Sequence, residues 1–243
     1  MSAGRESGRP SSGGVERIEE VYRRRDRLHP RGYYSLLEPG QLYLTQVRER
    51  VLLRTLRELG MQSLAGVRLL DVGCAAGEWL RRFEDYGARG EDLFGVELQA
   101  AFLRDARRRS AGLQVVQADG ARLPFATASF DLVHQATMMT LVPDRSVRRR
   151  IAAEMVRVAR PGGHILWFDM RYSNPRNPDM RGIGRRELRE LFPGCRIRLR
   201  SVSLLPYLAR RVAPWSFTAC SLLEHLRPLR IHYLAAIRTA SAR

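Results

Sequence analysis

The chain has 243 residues, with 42 basic side chains against 25 acidic ones and a formal net charge of +17. That length holds one sizeable core and not two large ones. A hydrophobic share of 44% excludes an unfolded chain of low hydrophobicity, and no apolar run approaches the roughly 20 residues of a membrane-spanning helix.

Residues 1–14 are rich in Ser, Gly and Arg, lack the apolar stretch of a signal peptide and predict a disordered tail. Apolar positions at 15, 18, 21 and 22 predict a short helix over 15–27; those at 44, 47, 51, 52, 56 and 59 predict a longer one over 42–59. Beyond Gly66 the period changes. Residues 67–72 form a short apolar run of the kind a buried parallel strand shows. Helix 77–86, strand 93–96, helix 99–109, strand 113–117, strand 130–135 and helix 144–159 follow, then a turn at 161–163 and a strand over 164–168. This alternation predicts βα units and a parallel sheet covered on both faces. After Asp169 the pattern breaks into a polar loop over 170–184, a short helix at 185–191, a strand at 195–204, a mixed apolar segment at 206–221, a helix at 220–226 and a last strand at 232–237.

The basic excess points to nucleic acid, an anionic membrane surface or an anionic substrate. Every one of the 42 basic residues is arginine, however, a skew that fits a coding bias better than a binding adaptation. The three cysteines, Cys74, Cys195 and Cys220, form no CxxC pair and no metal-ligand spacing with the five histidines. An odd number of them without a signal peptide fits a reducing cytoplasm.

The strongest local signal is Leu69-Leu70-Asp71-Val72-Gly73-Cys74-Ala75-Ala76-Gly77, where a buried strand passes into a helix through small residues. Such a turn lets the backbone approach a ligand at the carboxyl end of a strand. The dinucleotide fingerprint fails, because Ala75 occupies the middle glycine position. Glu97 lies 20 residues after Gly77 at the end of the second strand, where an acid accepts hydrogen bonds from a ribose. Asp119, in Ala118-Asp119-Gly120-Ala121, ends the third and is placed to accept from an adenine amino group. Each acid alone is ordinary; three in order, each at a strand's carboxyl end, are not.

With these residues the chain resembles the class I S-adenosylmethionine-dependent methyltransferases over roughly 67–168. Phe130-Asp131-Leu132-Val133 resembles their fourth strand, and Arg160-Pro161-Gly162-Gly163 the turn before their fifth. The resemblance implies an α/β, Rossmann-like sheet of seven strands with helices on both faces, the last strand antiparallel and inserted between two others. It implies a helical cap over 15–60 and a methyltransferase domain over 61–243. It implies S-adenosyl-L-methionine as cofactor, held by Asp71, Gly73, Cys74, Ala75, Gly77, Glu97, Leu98, Asp119, Gly120, Ala121 and Gln135. The methyl of Ala75 fits if the local backbone avoids positive φ.

Methyl transfer to a hydroxyl needs a nucleophilic acceptor, and candidates for activating it sit at the carboxyl ends of the fourth and fifth strands. His134 and Asp169 are the catalytic candidates there, and Met138 walls the methyl pocket or packs beneath the cap. In the loop 169–185, Arg171, Tyr172, Asn174, Arg176, Asn177, Arg181 and Arg185 are candidate contacts to a phosphate or carboxylate on the acceptor. The segment 204–221 is either a lid over an apolar acceptor or a dimer surface. Together these features predict methylation, most simply on oxygen, of an anionic natural-product, sugar or lipid-linked small molecule in the cytoplasm, without integral membrane association. An RNA or other nucleic-acid methyltransferase and a non-catalytic cofactor-binding or interaction protein are the competing readings; the absence of an Asn-Pro-Pro-aromatic motif after the fourth strand weighs against base amino-group methylation.

Overall fold

The computed structural model describes residues 20, 21, 23, 24, 32–110, 112–173 and 179–240. The tail expected over 1–14 lies outside the described residues, as does most of the helix expected over 15–27, of which Glu20, Val21, Arg23 and Arg24 are helical. Helix α1 (Pro39–Glu58) starts on a proline, whose missing N–H costs nothing there, and Glu38 accepts from the N–H groups of Gly40 and Gln41. Strands β1 (Leu69–Val72), β2 (Leu93–Glu97) and β3 (Gln114–Gln117) alternate with α2 (Glu78–Asp85) and α3 (Ala100–Arg109). Strand β4 (Phe130–Ala136), helix α4 (Arg145–Val158) and strand β5 (Ala159–Met170) complete the parallel part. Then come α5 (Arg185–Leu191), β6 (Arg196–Leu204), α6 (Pro206–Val212), α7 (Phe217–His225) and β7 (Arg230–Arg238).

The strands form one sheet in the order β3-β2-β1-β4-β5-β7-β6. Neighbours from β3 to β5 run parallel, and β7 is antiparallel to both β5 and β6. The last strand thus enters between two others, as expected. One face is covered by α1, α2 and α3, whose Leu52, Leu56, Leu80, Phe83, Leu103 and Ala106 pack on Leu69, Leu93, Leu132 and Leu166. On the other face, Ile151, Met155 and Val158 of α4 and Leu188 of α5 pack on Leu70, Val133, Ile165 and Trp167. Successive strand residues point to opposite faces, so strands buried on both sides read as apolar runs without alternation.

Two expectations need correction. The turn at 161–163 lies within β5: Phe130 pairs with Ala159 and Leu132 with His164, so the intervening residues bulge out, with Gly162 at φ 75°. The mixed segment 206–221 forms two helices meeting at Ala213–Ser216, where Ser216 caps α7 by accepting from the Ala219 N–H. Both pack with Tyr43 and Val47 of α1 on Leu204, through Ala209, Ala213 and Cys220. Among the described residues no helix is long and apolar enough to cross a membrane.

Candidate active site

Because β1 to β5 run parallel, their carboxyl ends share one edge of the sheet, and chemistry placed on loops there converges. Beyond Val72 the chain turns through Gly73 (φ 78°), Ala75 (φ 45°) and Gly77 (φ 75°) into α2. The N–H groups of Gly73 and Cys74 donate to the Val96 carbonyl at 2.8 and 3.0 Å, tying the turn to β2. A side chain at Gly73 would stand 2.6 Å from Met138 Cγ, so glycine is required both for conformation and for the close approach of the β4 loop.

The condition set for the Ala75 methyl, a backbone that avoids positive φ, is not met. The residue's backbone is left-handed, and Glu97 Oε2 accepts the Ala75 N–H at 3.0 Å. Glu97 Oε1 accepts from Gln99 N–H at 3.0 Å. Burial pushes the Glu97 carboxyl up while these N–H groups draw it back down. Two carboxylate oxygens offer about four lone-pair sites, so capacity remains for further donors. Asp119 is half-buried; its Oδ1 accepts from the Ala121 N–H at 2.8 Å and shapes the turn through Gly120. Leu98 is half-buried and its carbonyl accepts from Gln117 Nε2 at 2.9 Å.

Asp71 and His134 are cross-strand partners on β1 and β4, and their side chains meet at 2.8 Å. Both residues are 1% exposed. Trp79 and Phe83 rings lie 5.2 Å from the His134 ring, so this pair sits beneath α2 instead of facing open space. Cys74 is buried too, and burial pushes its thiol far above its ordinary value, which leaves it a packing group. Asp169 is fully buried; it accepts from the N–H of Met170 at 2.9 Å and of Thr140 at 3.1 Å, and burial raises its carboxyl to about 7. Gln135, also fully buried, donates to the Phe168 carbonyl and accepts from the Met138 N–H. Thr137 between them holds φ 56°, a costly conformation for a β-branched residue, fixed by its N–H donating to Phe168 at 2.8 Å.

Among the described residues, the loop arginines Arg171, Arg181 and Arg185 do not converge. Arg171 donates to the carbonyls of Arg227 and Arg230 and lies 4.4 Å over the exposed Tyr172 ring. Arg181 is exposed with its Nη1 toward the Pro143 carbonyl, and Arg185 stands on the exposed face of α5 beside Arg186 and Arg189. Asn174, Arg176 and Asn177 lie outside the described residues. What closes the loop is Arg148 of α4, fully buried, which donates to the carbonyls of Met139, Val142 and Arg181 and to Glu187. Arg24 pairs with Asp179 at 3.2 Å, bringing this helical residue to the far arm of the same loop.

One site residue escaped the sequence reading. Arg48 of α1 lies 4.2 Å over the Trp79 ring and 4.1 Å over the Phe168 ring. Nothing in the sequence marks it, because an arginine on a helix is the background of this chain. Buried polar atoms without protein partners, Arg48 Nη2, Gln99 Nε2 and Thr140 Oγ1, belong to segments at this edge. Together with the glycine turn and the spare capacity of Glu97, they fit a ligand with a ribose and charged groups.

Residues 70–167 match the family model described as a methyltransferase domain. The chain is 36% identical over 116 residues to phthiotriol/phenolphthiotriol dimycocerosates methyltransferase 1 of Mycobacterium ulcerans, covering 46% of this chain and 40% of that protein. It is 28% identical over 154 residues to the demethylmenaquinone methyltransferase of Renibacterium salmoninarum, covering 63% of this chain and 62% of that protein. The chain thus spans less than two thirds of the length of either relative. A SAM-dependent methyltransferase of Methanosarcina mazei has the same fold, with a TM-score of 0.56 at 18% identity, over 77% of this chain and 98% of that one. Residues 70–167 thus match a methyltransferase domain, within a chain that shares the fold of a SAM-dependent methyltransferase.

Proposed function

We propose that the protein transfers a methyl group from S-adenosylmethionine to an oxygen of a small, largely apolar acceptor. The observation that carries this reading is the left-handed turn at 73–77 held against Glu97, with Asp119 ending the neighbouring strand. The cofactor supplies an activated methyl on sulfur. For this chain's residues the task is alignment and exclusion of water. Glu97 takes the ribose hydroxyls with its remaining lone pairs, Asp119 with Gly120 and Ala121 borders the adenine, and the 73–77 backbone faces the amino-acid end. Leu98 supplies apolar cover. Met138, pressed on Gly73, walls the reacting end.

His134 and Asp169 serve in this reading as positioning residues. His134 fixes Asp71 under the glycine turn, and Asp169 with Gln135 fixes the turn over 136–141. The apolar character of the acceptor is supported by the relatives, whose names specify phthiotriol dimycocerosates and demethylmenaquinone. The helices over 206–225 pack on α1 and so extend the cap of the site.

Calorimetry with S-adenosylhomocysteine tests the cofactor reading. Wild type binds, and Glu97→Gln binds about 10- to 100-fold more weakly, the value of a hydrogen bond to a charged group. A labelled-methyl assay against fatty acids, quinols and polyketide alcohols, read by mass spectrometry, then identifies the acceptor class. Wild-type protein that binds no S-adenosylhomocysteine overturns the proposal.

A further inference from the structure

Two guanidinium groups contrast: that of Arg148, a fully buried residue, and that of Arg48, a half-buried one. Arg148 has its donors matched by three carbonyls and Glu187. Arg48 is the opposite case. Its Nη2 is sealed from solvent with no acceptor, and no carboxylate of the described residues forms an ion pair with it. Of the acids near enough to act on it, Asp71 is committed to His134 and Asp169 to two backbone N–H groups, while Glu78, exposed in the first turn of α2, forms no ion pair with it. Burial draws Arg48 down to about 9, still a cation at neutral pH.

The arrangement holds this cation in place without neutralising it. Trp79 and Phe168 flank the guanidinium with their faces, which attract a cation while leaving its in-plane N–H donors free. Glu49, next in sequence, pairs with Arg82 and accepts from Tyr86 Oη, locking α1 onto α2. The His232 ring stacks on Phe168 at 4.7 Å, and its Nδ1 is likewise buried and unspent. Trp79 lies in the first turn of α2, directly after the glycine turn, and Phe168 pairs with Ala136 at the end of β4. Arg48 therefore stands at the carboxyl edge of the sheet, between the two segments that border the reacting groups.

We infer that Arg48 is the oxyanion receptor of this site, taking a carboxylate presented either by the amino-acid end of the cofactor or by the acidic head of the acceptor. A planar guanidinium with a free N–H is suited to such a group, and the bound oxyanion supplies the acceptor that Nη2 lacks. The assignment rests on the methyltransferase reading of the site. It differs from the loop arginines in that its side chain is already held in place before any ligand arrives.

The test uses the full chain, wild type and Arg48→Met, with three probes followed by calorimetry and thermal shift: S-adenosylhomocysteine; methylthioadenosine, which keeps the nucleoside but lacks the carboxylate; and decanoate in the presence of S-adenosylhomocysteine. If the cofactor is the source, Arg48→Met loses about 30-fold or more in affinity for S-adenosylhomocysteine and nothing for methylthioadenosine. If the acceptor is the source, both adenosine ligands bind unchanged and decanoate binding falls about tenfold. In either case the ligand-free variant melts no lower than wild type, because an unpaired buried cation has been removed. Unchanged affinity for S-adenosylhomocysteine without Arg48-dependent decanoate binding overturns the assignment, as does equal weakening of all three probes together with a lower melting temperature. Wild type that binds neither adenosine ligand overturns the cofactor reading itself, and this inference with it.

Discussion

A carboxyl group that keeps its proton to about pH 7 inside the fold, as Asp169 does, makes stability depend on pH with a definite sign. In the unfolded chain the group releases its proton near its ordinary value of 3.8. Between the two values the folded form binds the extra proton, so its contribution is fully present below about 4 and is lost as the pH rises through about 7. His232, drawn down to about 3 by burial and by Arg48, works in the opposite direction: its contribution is present above 6.5 and lost as the pH falls through about 3. Comparing Asp169→Asn with wild type isolates the first slope, since His232 is common to both. The amide forfeits one backbone acceptor, on the order of 1 kcal/mol. It also removes a charge that is disfavoured above pH 7. The variant should therefore lose more stability at pH 5 than at pH 8 in urea unfolding; an equal loss at both would remove the titration from the account. The same residue shows what a sequence conceals. Asp169 and His134 stand at strand ends where catalytic groups belong, yet register decides what they meet. His134 falls opposite Asp71, a pairing known only once β1 and β4 are aligned.

At the level of elements, the glycine turn and the βα alternation were readable because each rests on a local cause: small residues where the backbone turns left-handed, apolar runs where a strand is buried twice. The contents of the loop after β5 were not readable. Its arginines looked like a clamp for an anion, but Arg171 and Arg181 hydrogen-bond to backbone carbonyls, and the closing residue, Arg148, lies on α4, far away in sequence. Long-range partners of this kind leave no mark on local spacing. Arg148→Met should cost about 3–5 kcal/mol, since it leaves several carbonyls unmatched and Glu187 with only Arg145, 3.6 Å away, among the described residues. The measurement is chemical denaturation, and a loss below about 1 kcal/mol would mean that the loop is held by something else. Ala75 carries a related lesson. Its identity left the backbone conformation open, and the hydrogen bond from its N–H to Glu97 accompanies one that alanine does not favour.

For the molecule as a whole, the +17 resolves into separate roles. Some arginines tie elements together, as Arg200 does between β6 and Glu58 of α1 at 2.6 Å; others, such as Arg186 and Arg54, are exposed and pair weakly with acids one turn along their own helices. The sheet is equally uneven. Strand β3 is an edge strand with three of its four residues exposed, whereas β4 and β5 are covered on both faces. Native-state hydrogen exchange should therefore show the amides of β3 opening well before those of β4 and β5. Exchange at one common rate in all three would mean that the sheet opens only as a single unit.

The insertion of β7 between β5 and β6 has a consequence for how the molecule is made. Strand β6 leaves the ribosome before the strand that pairs with it, and its neighbour β7 is the last in chain order. Until then β5, rich in Ile, Leu, Trp and Phe, presents an open hydrogen-bonding edge, and β6 has no place in the sheet. During synthesis the first five strands can pair among themselves and α1 can pack on them and on α2, while α6 and α7 must wait. Arg200 on β6 grips Glu58 on α1 only when β7 has slid home. Closing the sheet and bringing α6 and α7 against α1 are therefore the same late event, and a nascent chain halted short of residue 230 would hold Arg48 between Trp79 and Phe168 while α6 and α7 still lacked their place beside α1.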